Sequence, residues 1–379
     1  MIIGIDISSI PYGTGVSNYT VSLVRHLLKI DKTNTYKLFF TSLRQPLPDE
    51  VKFWQKLPQV RIYYYHLPPT FFEILWNRLH IFPLELFIGK CDVFHTWDWT
   101  QPPAITAKTI TTVHDFVPFL FPETQDQQII SVFKRKYFWA AQVNDLFICV
   151  SQNTHHDLLR LFPKLSPQRI TTIPEAAEDK YLNFYHLKPS EKKSKIAKVK
   201  QLYDLKNYCL AIGTREPRKN LQRLIQAFIE YKKFHPQSVT ELVIAGKYGW
   251  GDDINHLKNP FIKILGYVPD REIAPLLAGA ICLCYPSLYE GFGLPPLNAL
   301  TLGVPLITSN TSSLREVAGN AAVFVDPTKT DDLVLALNKV LSNQSLRLTL
   351  SHRGLKQSAK FSWDNTAKLT LEVYQKLCS

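Results

Sequence analysis

The chain has 379 residues, of which 45% are apolar and 20% charged, and its formal net charge is +12. This length exceeds what one ordinary hydrophobic core accommodates and suits two α/β domains of about 150–200 residues each. No apolar run approaches the roughly 18 residues that span a bilayer, and the first residues lack the basic region and cleavage site of a secretory leader. We therefore expect a cytoplasmic protein.

The positive charge is uneven along the chain. Lys+Arg against Asp+Glu number 19 to 16 in residues 1–190 and 25 to 16 in residues 191–379. Such an excess attracts a diphosphate, an anionic membrane or a nucleic acid, and charge alone does not choose among them. The six cysteines are scattered, and Cys282 and Cys284 have the spacing of core residues on one face of a strand. We interpret them as structural residues in a reducing compartment.

Short apolar runs alternate with helical patterns in the first half of the chain. Val16–Ile30 has its apolar residues on one stripe and is predicted to be a helix. The predicted strands are Ile2–Ile7, Tyr36–Phe40, Val60–Tyr65, Val93–His95, Thr109–Val113 and Leu146–Val150. This alternation favours a parallel sheet covered on both faces.

A second series follows a lysine-rich segment at 188–200, which is typical of a linker or an exposed helix. Its predicted strands are Cys209–Ile212, Leu242–Ala245, Ile262–Leu265, Ile281–Tyr285, Pro305–Thr308 and Ala322–Val325. The predicted helices are Leu221–Phe234, Ile273–Ala278, Pro295–Leu302, Asp331–Leu341 and a last one up to Leu377. The sequence thus predicts an α/β protein with two doubly wound sheets, in which ligands bind beyond the carboxyl ends of strands.

Two of the loops that follow predicted strands could bind an anion. Gly13, Thr14 and Gly15 come after the first strand and open a helix, where backbone N–H groups can approach a phosphate. An ordinary turn between a strand and a helix is an equal alternative, because the third glycine of the dinucleotide fingerprint is missing. The loop Gly213–Asn220 has three cations in five residues, and its alternative is a solvated loop. We favour phosphate binding there, with Asn220 as the helix N-cap.

The most specific signal is the segment 285–298. An apolar strand runs into a turn that contains Glu290, Gly291 and Gly293, and two prolines then begin a helix. Proline is tolerated in the first turn of a helix, so the N–H groups of Phe292, Gly293 and Leu294 can point at an anion. A surface position explains Glu290 poorly.

This segment resembles the signature of glycosyltransferase family 4, whose fold is GT-B: two Rossmann-like domains, an interdomain cleft and a carboxyl-terminal helix that crosses back. The resemblance covers nearly the whole chain and is closest to a bacterial mannosyltransferase-like branch active in polysaccharide biosynthesis. It implies an acceptor-binding domain at residues 1–180, a nucleotide-sugar-binding domain at 181–362 and the returning helix at 363–379, with hinge closure on donor binding. The supporting segments are Gly13–Tyr19, Thr112–Asp115, Gly213–Asn220, Ile264–Pro269, Gly303–Ile307 and Ser312–Gly319.

The resemblance also implies roles for individual residues. Glu290 would bind hydroxyls of the donor sugar, Arg218 and Lys219 would neutralise the departing diphosphate, and His114 would contact the sugar. The implied chemistry is transfer with retention by attack on the front face, the donor phosphate accepting the proton of the acceptor. The remaining implied donor-binding residues are Gly13, Thr14, Gly15, Gly213, Thr214, Tyr267, Val268, Gly291, Phe292, Gly293, Leu294 and Asn298.

Two positions depart from the family pattern. Asn298 stands where the family usually has a second glutamate that holds the ribose, and Thr214 stands where it often has arginine, so we expect Arg218 to substitute. The amide at 298 lacks the charge of a carboxylate, which affects donor affinity or choice. No Asp-x-Asp triad occurs in the sequence. We therefore expect no metal and no separate cofactor, the nucleotide sugar being a co-substrate.

Three classes of function remain open. The first is transfer of a hexose from GDP-mannose, or next from a UDP-sugar, to a glycan or lipid-linked acceptor, without nucleic acid. The second is another enzyme of this fold, a sugar-nucleotide epimerase or a phosphorylase, and the third is a non-catalytic nucleotide-sugar binder. The aromatic segment 67–87 and the mixed cationic and aromatic segment 133–139 predict either an acceptor or membrane-docking surface at the inner face of the membrane, or core packing.

Overall fold

The computed structural model describes residues 1–97, 99–251, 254 and 259–379 of the chain. They form two compact units, Met1–Glu175 with Ser362–Ser379, and Ala176–Phe361. Each unit has its own parallel sheet and its own apolar core. None of the helices in the described ranges is long and apolar enough to cross a membrane.

The first unit is built on a seven-stranded parallel sheet with the order β3-β2-β1-β4-β5-β6-β7. Its strands are β1 Ile2–Asp6, β2 Thr35–Thr41, β3 Val60–Tyr65, β4 Val93–Thr96, β5 Lys108–Val113, β6 Leu146–Cys149 and β7 Ile170–Thr172. Its helices before residue 176 are α1 Gly15–Ile30, α2 Asp49–Trp54, α3 Pro69–Phe72, α4 Glu85–Ile88, α5 Val117–Leu120, α6 Gln127–Val143 and α7 Gln152–Leu161.

Side chains at the helix starts explain where the longer helices of this unit begin. Thr14 caps α1 in a reciprocal capping box with Ser17, and Asp126 and Ser151 cap α6 and α7. Each satisfies a backbone N–H that the first turn leaves without a partner, which contributes about 1 kcal/mol. The face of α1 that contains Leu23, Val24 and Leu27 is buried, as the apolar stripe predicts.

The second unit has a six-stranded parallel sheet with the order β10-β9-β8-β11-β12-β13. Its strands are β8 Tyr208–Ile212, β9 Glu241–Ala245, β10 Ile262–Gly266, β11 Cys282–Tyr285, β12 Leu306–Ser309 and β13 Ala322–Val325. Its helices are α8 Asp179–Tyr185, α9 Pro189–Leu202, α10 Leu221–Phe234, α11 Asp270–Ala278, α12 Leu294–Thr301, α13 Leu314–Ala318, α14 Thr330–Ser342 and α15 Gln344–Ser358.

The last helix, α16 Trp363–Cys378, belongs to the first unit although it follows the second in sequence. It packs along α1 and buries Trp363 and Tyr374. The hydroxyl of Tyr374 lies 2.6 Å from Nδ1 of the buried His95, and Thr366 donates to the carbonyl of Pro174 at 2.8 Å. The chain therefore completes the first unit only after it has passed through the whole of the second.

The predicted α/β architecture with two parallel sheets is confirmed, and the observed strands overlap all twelve predicted ones. The sequence reading missed β7, which has only three residues. The lysine-rich segment is the helix α9, whose one buried residue is Val199. Because most of its side chains are solvated, its periodicity is weak and a linker was an equal alternative.

The cysteines of the second unit lie in its core, as predicted for Cys282 and Cys284. Their Sγ atoms are 3.9 Å apart, and Cys209 on the neighbouring strand completes a buried group of three thiols. All three pack in an apolar cluster with residues of α10 and α14. Buried thiols of this kind behave as small apolar side chains.

Candidate functional site

The candidate site of the second unit lies where its strand order changes direction. The chain runs from β8 outward through β9 to β10, then returns to β11 on the other side of β8 and continues through β12 to β13. Loops that leave two such neighbouring strands diverge and open a crevice at the carboxyl edge of the sheet. The loops after β8 and β11 are Gly213–Asn220 and the segment with Glu290, the two strongest signals of the sequence.

Glu290 is buried in a network of donors, with 8% of its surface exposed. Its Oε1 is 2.7 Å from Lys219 Nζ, 2.9 Å from the Tyr285 hydroxyl and 2.6 Å from Ser287 Oγ. Its Oε2 is 2.8 Å from Nη1 of Arg218. Glu290 is therefore buried, as expected for an acid that a surface position explains poorly.

Arg218 joins the two loops. Its guanidinium donates to the carbonyl of Tyr289 at 2.6 Å and to Glu216, besides its ion pair with Glu290. Its own carbonyl accepts from the backbone N–H of Leu288 at 2.9 Å. The planar fork of arginine holds several acceptors in fixed directions, so Arg218 fixes the Glu290 turn against the loop after β8.

The charges of this cluster balance. Two acids, Glu216 and Glu290, face two bases, Arg218 and Lys219. Burial by itself raises the pKa of Glu290, but the Arg218 and Lys219 charges outweigh it and hold that pKa at about 2. Burial and the neighbouring Arg218 charge lower the pKa of Lys219, against the opposite effect of Glu290. The carboxylate at 290 is thus ionised at neutral pH.

Lys219 connects Glu290 with Tyr285. Its Nζ donates to the Tyr285 hydroxyl at 2.7 Å, and that hydroxyl in turn donates to Glu290. The stem of Lys219 packs beside Gly213, since a Cβ on that glycine would lie 3.4 Å from Cε of the lysine. Gly213 has φ +141°, which side chains rarely adopt, and Thr214 beside it is exposed.

Asn220 occupies the N-cap position of α10 but does not cap it. It has a left-handed φ of +57°, and its side-chain amide donates to the carbonyls of Pro286 and Pro327 at 3.1 and 2.7 Å. The predicted capping role is therefore wrong. The amide nitrogen instead joins the loop after β8 to the loops after β11 and β13, and the amide oxygen accepts from Arg223 at 3.0 Å.

The glycine turn after Glu290 is fixed from the far side by two serines. Ser312 Oγ accepts from the N–H of Glu290 at 3.0 Å, and Ser313 Oγ is 2.8 and 2.7 Å from the carbonyls of Glu290 and Phe292. Gly293 has φ +106° and precedes Leu294, the first residue of α12, as the two prolines predict. The turn Gly291–Gly293 thus leads Glu290 directly into a helix start.

The predicted base loop follows β10. Tyr267 is 60% exposed, with Lys247 Nζ 4.9 Å from its ring centroid, whereas Val268 is buried in the core. An exposed ring beside a cation offers a stacking face for a nucleotide base. The loop ends where α11 begins, at Asp270.

Asn298 lies on α12 and is 1% exposed. Its Oδ1 accepts from the backbone N–H of Glu178 at 3.2 Å, and its Nδ2 donates to Oε1 of the same residue at 3.1 Å. The sequence reading did not single out Glu178. The Asn298 side chain is therefore hydrogen-bonded to a carboxylate from another part of the second unit.

In the first unit, Gly13 and Thr14 lie between β1 and α1, and Gly15 begins α1, at the point where the order of that sheet changes direction. Gly13 has φ +62°, and a Cβ on Gly13 or Gly15 would meet nothing within 4 Å. Open space in front of these glycines is what a loop that receives an anion requires.

His114 follows β5 of the first unit and is nearly buried. Its Nδ1 lies 3.0 Å from Oε1 of the buried Glu175, and the ring of Tyr19 stands edge-on at 4.6 Å. A carboxylate at Nδ1 selects the tautomer of a histidine and fixes its ring. Glu175 had no local sequence signal, because only the tertiary structure brings residues 61 positions apart together.

Each unit thus has polar groups and glycine turns at the switch point of a parallel sheet, which defines an α/β protein with two doubly wound sheets. Solved structures with this fold include the sucrose-phosphate synthase of Thermosynechococcus elongatus, with a TM-score of 0.73, 18% identity and coverage of 100% of this chain and 99% of that one. HepE of Anabaena in complex with UDP and glucose has a TM-score of 0.69, 16% identity and 98% coverage of both chains.

Sequence comparisons identify the family. The profile described as Glycosyltransferase Family 4 matches residues 13–179, and that described as Glycosyl transferases group 1 matches residues 192–357. The O-antigen chain mannosyltransferase B of Escherichia coli is 30% identical over 96% of both chains. The chain belongs to glycosyltransferase family 4, a family of retaining, metal-independent hexosyltransferases with the GT-B fold.

Proposed function

We propose that this glycosyltransferase moves mannose from GDP-mannose to a sugar or lipid-linked glycan acceptor. The observation that carries the proposal is the similarity, over nearly the whole of both chains, to a protein named as an O-antigen chain mannosyltransferase. A UDP-sugar is the next candidate donor, supported by the likeness in fold to a protein solved with UDP.

The buried charge cluster of the second unit supports the placement of the donor. In this proposal the diphosphate binds at Lys219, Arg218 and the N–H groups of the turn Gly291–Leu294, while Glu290 accepts hydroxyls of the hexose. As the sugar–phosphate bond breaks, negative charge grows on the diphosphate and positive charge on the anomeric carbon. Fixed groups of opposite sign beside each charge lower the barrier without reorganising during the reaction.

The loop Gly213–Thr214 and the glycines of the first unit extend the same proposal. Gly213 and Thr214 border the diphosphate, and Gly13, Thr14 and Gly15 offer backbone N–H groups. The loop of Tyr267 and Val268 receives the base, with the exposed Tyr267 ring as its stacking face and the Val268 side chain in the core. His114, with its ring fixed by Glu175, contacts the sugar. Each of these roles comes from the family resemblance and is compatible with the local geometry of its own unit.

A surface of the first unit supports a lipid-linked acceptor. In the segment 67–87, Phe72 and Trp76 are buried, so core packing explains part of it. The large exposed apolar side chains there and in the segment 133–139 are Phe71, Ile74, Leu79, Ile81, Phe82, Leu86 and Phe138. Such a group beside cations is suited to an anionic membrane surface. Flotation with anionic vesicles at low salt tests it: protein that stays at the bottom of the gradient contradicts docking.

The donor proposal is tested by adding a panel of nucleotide sugars to the intact protein and measuring thermal stability and nucleotide release. A ligand at 100 times its dissociation constant adds about 2.7 kcal/mol to the free energy of unfolding. We expect GDP-mannose to give the largest shift and GDP to appear slowly without acceptor. A larger shift with a UDP-sugar overturns the donor, and binding without any release, with or without glycan acceptors, identifies a non-catalytic binder.

A further inference from the structure

The amide of Asn298 is buried and bonds to Glu178 through both its oxygen and its nitrogen. With 1% of the residue exposed, its oxygen accepts the N–H of Glu178 and its nitrogen donates to Glu178 Oε1. An amide N–H can only donate, so it cannot accept from a ribose hydroxyl as a carboxylate does, and the buried Asn298 presents almost no surface to a ligand. The charged acceptor that Asn298 contacts is the carboxylate of Glu178.

That carboxylate belongs to a row of four polar side chains. Glu178 Oε2 lies 3.0 Å from Lys180 Nζ, and the same Nζ lies 3.0 Å from Oδ1 of Asp270. The Glu178 side chain retains 16% exposure, so solvent or a ligand reaches it, in contrast to Asn298. Lys180 compensates the negative charge of Glu178, and Asn298 fixes the direction in which the Glu178 carboxylate points.

These four side chains lie between two parts of the second unit: the loops that the proposed function assigns to the donor diphosphate and the loop that it assigns to the base. At one end, Asn298 lies one turn into α12, which starts directly after the turn of Glu290. At the other end, Asp270 starts α11, directly after Tyr267 and Val268. A nucleotide whose diphosphate lies at the first place and whose base lies at the second has its ribose between them.

The ribose presents two neighbouring hydroxyls, and one carboxylate accepts from both with charge-assisted hydrogen bonds. We propose that Glu178 is the residue that binds the ribose hydroxyls of the donor, and that Asn298 is a positioning residue that aims it. This inference rests on the proposed function, since it presupposes a nucleotide at this site. The family pattern has the ribose-binding carboxylate on α12, at the position of Asn298. In this chain the proposed carboxylate is that of Glu178, which directly precedes α8.

The test compares nucleotides that have or lack these hydroxyls. Isothermal titration of the full chain with GDP and with 2′,3′-dideoxy-GDP, and with the corresponding uridine pair, gives a discrimination ratio for each protein. We expect the wild type to bind the ribonucleotide at least about tenfold more tightly. Glu178→Gln lowers the ratio to near one by weakening ribonucleotide binding, while dideoxynucleotide binding changes little.

Further variants separate positioning from structural damage. Glu178→Asp retracts the carboxylate and also lowers the ratio. Asn298→Ala lowers it because Glu178 is no longer aimed, and the double variant Glu178→Gln/Asn298→Ala is no worse than Glu178→Gln alone. The matched control Glu372→Gln removes an exposed acid of α16 and keeps the wild-type ratio. Additive losses in the double variant would contradict the positioning role.

The outcomes distinguish the two proposals. A wild type that binds none of the four nucleotides overturns the proposed function and this inference with it. If the wild type prefers ribonucleotides and both Glu178→Gln and Glu178→Asp keep that preference, the assignment of Glu178 is overturned. The proposed function is not affected by that result. The ratio of ribonucleotide to dideoxynucleotide affinity is compared only between proteins that bind the dideoxynucleotide equally. A variant that is partly unfolded binds both nucleotides less and is therefore not mistaken for one that has lost the contact with the ribose.

Discussion

Glu290 illustrates how a buried acid remains charged. Removal from water disfavours its ionised form, yet two cations and two hydroxyls within 2.9 Å more than offset that cost. Buried ion pairs add little to stability compared with an apolar core, but removing one partner leaves the others without compensation. The cluster is therefore expected to serve the electrostatics of the site and to be intolerant of single substitutions.

Substitution of Glu290 or Lys219 by alanine tests their proposed roles in the reaction. Each group stabilises charge that grows in the transition state, so we expect each variant to lose about 3–4 kcal/mol of transition-state stabilisation, or 10²- to 10³-fold in kcat. Steady-state kinetics with the donor identified by the panel provide the measurement. Lys233→Ala, at an exposed position of α10, is the control. Turnover near that of the wild type in either variant refutes the assignment.

The low pKa of Glu290 makes the stability of the cluster depend on pH. Its folded pKa of about 2 lies below the ordinary value of 4.5, so its contribution is complete above about pH 4.5 and is lost as the pH falls towards 2. We expect Glu290→Gln to cost about 3–5 kcal/mol at pH 7. The difference from wild type, measured by urea denaturation, narrows between pH 5 and pH 3. A difference that does not change with pH contradicts this origin.

Among the secondary-structure elements, one glycine allows the loops that follow two neighbouring strands to approach each other closely. Gly246 directly follows β9, and Gly213 directly follows β8. The N–H of Gly246 donates to the carbonyl of Gly266, the last residue of β10, at 2.7 Å. A Cβ on Gly246 would lie 1.7 Å from the carbonyl oxygen of Gly213. The backbone of the loop that precedes Lys219 thus depends on a residue without a side chain in the adjacent loop.

Gly246→Ala therefore forces the loop after β8 to move. Overpacking against backbone costs at least about 3 kcal/mol, since no flexible side chain can yield. Chemical denaturation of this variant and of Gly15→Ala provides the comparison, because a Cβ on Gly15 meets nothing within 4 Å. We expect the Gly15 variant to stay within about 0.5 kcal/mol of wild type. Equal stability of the two variants would show that the loop accommodates the clash.

At the scale of the whole molecule, the two units differ in how the chain completes them. The second unit is one continuous segment, Ala176–Phe361, whereas the first needs α16 from the end of the chain. Without α16, the faces of Tyr19 and His95 that contact Trp363 and Tyr374 would be exposed. Exposed apolar surface of this kind favours aggregation over a unique fold.

Separate expression of the two parts tests this asymmetry. We expect residues 176–361 to unfold cooperatively on their own and to bind the donor nucleotide weakly. Residues 1–175 should aggregate or lack a cooperative transition, measured by thermal denaturation. Joining Ser362–Ser379 to Glu175 by a short Gly-Ser linker should restore the transition, because Thr366 of α16 already bonds to Pro174. A fragment 1–175 as stable as the joined one contradicts the need for α16.

Periodicity and motifs in the sequence were sufficient to predict the two-sheet fold, the family and the location of the main loops. Periodicity and loop chemistry are local properties, and strands such as β8 and β11 are apolar enough to be read directly. The Gly-rich turn and the prolines after Glu290 likewise require a particular backbone wherever they occur, so α12 could be predicted to within one residue.

The pairing of polar groups, in contrast, could not be predicted before the fold was known. Asn220 has the identity of an N-cap, yet it bonds to carbonyls 66 and 107 positions away. Asn298 finds Glu178 across 120 positions, and His114 finds Glu175 across 61. A buried polar side chain forms hydrogen bonds with the polar groups that the fold places beside it. Those groups depend on the order of the strands and the packing of the helices rather than on neighbours in the sequence.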